Sequence, residues 1–114
     1  MLKINDVELE FDLLDADTAD SYEEALKLTD NIVDKVKGLA AGESIRKQCQ
    51  IIFDVFNTIF GEGTDRKIFG GKTNLRSCLE AFEKLVSNAD EQKEELDKKY
   101  SKYSPNRAQK RAKK

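Results

Sequence analysis

The sequence of 114 residues contains no His and no Trp, one Pro, one Met and two Cys. Each scarcity excludes something. Without His, an imidazole-based triad is impossible and an ordinary zinc site loses its commonest nitrogen ligand. Two widely spaced cysteines, Cys49 and Cys78, cannot form a disulfide framework. No apolar run exceeds three residues, so neither a transmembrane helix nor a signal-peptide core is encoded. Together with the two isolated cysteines, this makes a reducing, cytoplasmic compartment away from the membrane the expected location.

What is present is charge. Charged residues make up 37% of the chain and apolar residues 39%, enough for one compact core of modest size. The net charge of −2 conceals an asymmetry, because residues 107–114 hold five basic residues and no acid, which leaves −7 on the rest. An acidic body repels phosphates, which argues against nucleic acid over its general surface.

The first thirteen residues alternate. Leu2, Ile4, Val7, Leu9, Phe11 and Leu13 are apolar, and the parity changes at Asn5-Asp6. This pattern predicts a hairpin of strands 2–4 and 7–13 with one oily and one acidic face. Ser21 and Glu24 have the spacing of a capping box, followed by a stripe through Tyr22, Ala25, Leu26, Ile32, Val33, Val36 and Leu39. One helix is expected there, closing at Gly38 or Gly42. A second, from about Glu43 to Phe60, is apolar over so much of its circumference that it should be the central one. Thr64-Asp65 can cap a single turn ending at Gly70-Gly71. Thr73 or Asn74 then caps a third helix, with Leu75, Cys78, Leu79, Phe82, Leu85, Val86 and Ala89 on its stripe. Ser87-Asn88 is a natural place for an interruption, after which a polar fourth segment carries only Leu96, Tyr100 and Tyr103 as a thin oily seam.

The expected fold is therefore α+β and mainly α: an N-terminal β-hairpin within residues 1–14, packed on a three- to four-helix bundle. Residues 1–104 form a single domain, and residues 105–114 are a flexible basic tail.

Chemistry-bearing patterns are few. Gly70-Gly71-Lys72-Thr73 resembles the end of a phosphate-binding loop, but the first glycine of that motif is replaced by Arg66 and a helix precedes it. Asp15, Asp17 and Asp20 lack the glycine and the closing Glu of a calcium loop; helix capping accounts for them. Cys49 and Cys78 fall on apolar stripes, where a thiol packs as a small hydrophobe. The many carboxylates sit on solvated faces, with nothing to raise a pKa for acid–base work. The expectation is a protein without catalytic residues, metal or cofactor. Its candidate contact residues are the seam Leu96, Tyr100 and Tyr103 and the basic end Arg107, Lys110 and Arg111. Two readings stand for that end: an arm for an acidic partner or a nucleic acid, or a solubilising terminus. Two also stand for the seam, which either docks a partner helix or packs on its own bundle.

The strand pair Leu2-Lys-Ile-Asn-Asp-Val-Glu-Leu-Glu-Phe11, the helical middle and the lysine-rich end resemble small tail assembly chaperones of long-tailed bacteriophages and prophages. The segments Phe60-Gly-Glu-Gly-Thr64, Ile68-Phe-Gly-Gly-Lys-Thr-Asn74 and Ser104-Pro-Asn-Arg-Ala-Gln-Lys-Arg111 are similar to those of a subgroup from phages of Gram-positive hosts. The resemblance implies a non-enzymatic protein of the infected cell, absent from the virion. Its partners would be the tape-measure protein, which it keeps soluble, and the tail tube protein; separately, the hairpin edge can either pair with a neighbouring copy by strand addition or lie as a lid over the second helix. The alternative from another class is a small adaptor or regulator working through the basic tail.

Overall fold

The computed structural model describes residues 2–103. The order is β1 (Leu2–Ile4), β2 (Val7–Leu9), α1 (Ala16–Lys27), α2 (Ile32–Val36), α3 (Ala41–Phe60), α4 (Thr64–Phe69) and α5 (Leu75–Tyr103). The fold is mainly helical with an N-terminal antiparallel hairpin, as the residue pattern predicts. The basic end lies outside the described residues.

The hairpin turns on Asn5 and Asp6, both left-handed at φ 49° and 66°. That is the twist a two-residue loop needs, and Asn and Asp tolerate it better than most side chains do. Pairing sets Leu2 opposite Leu9 and Ile4 opposite Val7, and buries Leu2, Ile4 and Leu9. Asn5 also donates from its side-chain amide to the Ile68 carbonyl at 3.1 Å, tying the turn to α4. The second strand stops at Leu9 and does not reach Leu13. In this register Leu9 pairs with Leu2, the first described residue of β1.

Residues 11–13 are held instead by a side chain. Gln92 on α5 donates to the Phe11 carbonyl and accepts the Leu13 N–H, both at 2.8 Å. An amide side chain offers the donor and acceptor of a peptide group, so Gln92 acts as a one-residue substitute strand. Phe11 enters the core against the rings of Tyr22 and Phe60.

The first helix departs from expectation at both ends. It begins at Ala16, not at Ser21, because the Asp15 carboxylate accepts the Thr18 N–H at 3.2 Å and caps it there. Ser21 sits inside the helix, and its capping box does not form. The helix ends at Lys27, where Thr29 donates its hydroxyl to the Leu26 carbonyl and Asn31 turns left-handed at φ 58°. Thr, Asp and Asn in sequence offer the backbone local hydrogen bonds that compete with a helix. The apolar period resumes as the separate α2, with Val33 left 74% exposed.

The central helix is α3, which packs against α1, α2, α4 and α5. Cys49, Ile52, Val55 and Phe56 are its most deeply buried residues. After Gly61, left-handed Gly63 starts α4, whose first turn is tied back by the Asn57 side chain accepting the Asp65 N–H. Thr64 does not cap α4; its buried hydroxyl donates to the Gly61 carbonyl. Phe69 then packs against Phe53 and Phe56.

Asn74 caps α5 through the Ser77 N–H, as its position suggests. Ser87-Asn88 does not interrupt this helix, which runs unbroken for 29 residues, about 43 Å at 1.5 Å per residue. Leu85 and Ala89, both fully buried, pack the turn on either side, and Asn88 is used laterally, accepting from Gln92 at 2.7 Å. Packing there overrides the capping tendency. The long helix gives the molecule its shape: the radius of gyration is 17.2 Å, against about 13 Å for a compact chain of this length.

Candidate partner-binding surface

Along α5 the buried stripe is Cys78, Ala81, Leu85 and Ala89. Leu79, expected on that stripe, lies at its flank and is 47% exposed. Ala89, on the expected stripe, belongs to the core. Beyond it Gln92 and Leu96 are half-buried, Tyr100 is 49% exposed, and no residue from Asp90 to Lys102 is buried. Tyr103 ends the helix. Arg107, Lys110 and Arg111 lie outside the described residues, so of the expected contact residues the structure shows the surroundings of Leu96 and Tyr100 on α5.

The seam has neighbours that its own periodicity did not indicate. A depression of about 180 Å³ lies between α1 and α5, floored by Leu13, Tyr22, Leu26 and Leu96. A second, more open one of about 460 Å³ lies on the other side of Leu14 and Leu96, with Asp12, Glu91 and Glu95 among its walls. Leu14 and Leu96 therefore form an apolar ridge between two shallow grooves, and Leu14 is 55% exposed. Lys93 lies over the Tyr22 ring, 6.0 Å from its centroid. Burial, with Asp90 adding to it, pushes the Tyr22 hydroxyl pKa up.

Other regions carry less. A shallow depression of about 600 Å³ beside β1 is walled by Lys3, Glu80, Glu83 and Lys84, with charges of both signs. Cys49 and Cys78 are both fully buried, as their stripes suggest, and both are free thiols. Burial, and then the neighbouring Cys49, push the Cys78 thiol up to about 12, so it stays protonated at neutral pH. The glycine pair before Lys72 closes α4, and no strand positions it as a phosphate loop would require. Among the described residues no group of three Cys, Asp or Glu is placed to hold a metal, and no helix is long and apolar enough to cross a membrane.

Residues 5–114 match the model of the family of unknown function DUF6673. The chain belongs to that family. The matched span runs from the hairpin turn through the five described helices, so the helical core and the Leu14–Leu96 ridge fall within it, while β1 precedes it. No curated protein matches the chain, and no solved structure does.

Proposed function

We propose that this chain is a tail assembly chaperone of a long-tailed bacteriophage or prophage. It is a non-catalytic protein of the host cytoplasm that binds the tape-measure protein and keeps it soluble until tube subunits assemble around it. The observation that carries this reading is the ridge Leu14–Leu96 with Tyr100 beyond it, half-exposed apolar surface on the part of α5 that extends past the buried core. Shallow grooves on either side of a ridge suit weak, repeated contacts along a long helix. A tube subunit can displace such contacts, whereas a deep enclosed pocket would hold its ligand. The resemblance to tail assembly chaperones in the hairpin, the glycine segments and the lysine-rich end supplies the partner's identity.

Co-expression with the tape-measure protein of the same genome tests the reading. Soluble tape-measure protein should appear with this chain and precipitate without it. Equal solubility in both cases would contradict the function.

A further inference from the structure

The second half of α5 is ordered by charge as well as by burial. Residues 90–96 hold Asp90, Glu91, Glu94 and Glu95 against Lys93, and residues 97–102 hold Lys98, Lys99 and Lys102 against Asp97, so the segment is net acidic first and net basic last. A helix that is acidic at one end and basic at the other complements a copy of itself in one orientation only, antiparallel. We propose that residues 90–102 of two copies dock antiparallel about a twofold axis near Leu96-Asp97, each arm lying along the Leu14–Leu96 ridge of the other.

The register follows from the sequence. With the axis between Leu96 and Asp97, Glu95 faces Lys98 of the second copy, Glu94 faces its Lys99 and Glu91 its Lys102. Each pair is equidistant from the axis, so all three form twice. The groove into which the second arm comes is net acidic, with Asp12, Glu91 and Glu95 along its walls against Lys99, and the arriving helix end is lysine-rich. Leu14, which is 55% exposed, and Leu96 supply the apolar surface on which the second arm lies. The chain's own basic end is a poorer occupant: residues 106–114 contain no apolar side chain larger than Ala and cannot fill an apolar groove. The overlapping segment is about 20 Å long, which makes a smaller contact than a standard stable interface and hence a weak, concentration-dependent dimer. Self-docking would cover the ridge when no client occupies it.

Glu94 with Lys98 and Glu95 with Lys99 are also spaced to pair within one helix, so the test has to separate the two uses. Two variants do this: one with Glu91, Glu94 and Glu95 changed to Lys, the other with Lys98, Lys99 and Lys102 changed to Glu. Both lose the intrahelical pairs, and neither touches the buried core. In sedimentation equilibrium from micromolar to millimolar protein, the wild-type mass should climb toward twice the monomer and fall back in high salt. Each variant alone should remain monomeric, and an equimolar mixture should restore the dimer. A wild-type chain that is monomeric throughout would overturn the proposal, as would variants that dimerise alone or a mixture that stays monomeric. The experiment contains no client, so its failure leaves the chaperone reading standing.

Discussion

Residues 75–89 and residues 90–103 belong to one unbroken helix, yet they are built for different ends. The first half places Cys78, Ala81, Leu85 and Ala89 in the core at 2% exposure or less. The second half has the same backbone and periodicity, but none of residues 90–102 is buried, and its sequence is dominated by charge. Helical periodicity alone shows that a face exists. How large and how continuous its apolar residues are decides whether the fold uses that face or leaves it for a partner. Gln92 marks the boundary: its amide holds the body through Phe11 and Leu13, and the next residue, Lys93, lies over the Tyr22 ring.

The contrast can be broken most forcefully at Leu85. Leu85→Ala removes a fully buried side chain and should cost about 2–5 kcal/mol in chemical denaturation, while Leu96→Ala, half-buried, should cost well under that. Similar losses at the two sites would mean that the second half is as structural as the first. The first half also carries a pH signature. The Cys78 thiol is pushed up from an ordinary 9.0 to about 12 by burial and by Cys49. Above pH 9 the unfolded chain therefore gives up this proton while the folded chain keeps it. Stability should be indifferent to this group below that pH and fall as pH rises toward 12. Replacing Cys78 with Ala should flatten that fall in denaturation curves recorded across the alkaline range. At the boundary, Gln92→Ala leaves the Phe11 carbonyl and Leu13 N–H without their partner. About 1–3 kcal/mol is expected, with hydrogen exchange at Leu13 rising more than exchange within α3.

Much of this was legible from residue pattern. The parity change at Asn5-Asp6 located the turn, the wide oily arc of residues 45–60 identified the central helix, and the cysteines fell on buried stripes. The misread places share a cause. At Thr29–Asn31 three small polar side chains end a helix whose apolar period continues beyond them, so periodicity carried the expectation through a real break. At Ser87-Asn88 the reverse holds: local chemistry favours an end, and the packing of Leu85 and Ala89 forbids it. Gln92 gave no signal because its role lies in the two backbone groups it reaches, 79 and 81 residues away along the chain. The grooves beside Leu96 were hidden for the same reason, since Leu14 and Leu26 join them only through the fold.

The claim that the second half of α5 serves a partner while the first half serves the fold is tested most directly by a single variant. Leu96→Asp combined with Tyr100→Asp places charge on the seam and leaves the core untouched. Co-expressed with the tape-measure protein, it should fold with an unfolding midpoint close to that of the unaltered chain and leave the tape-measure protein insoluble. Full client solubility with the altered seam, or a collapse of the variant's own stability, would contradict that division of labour.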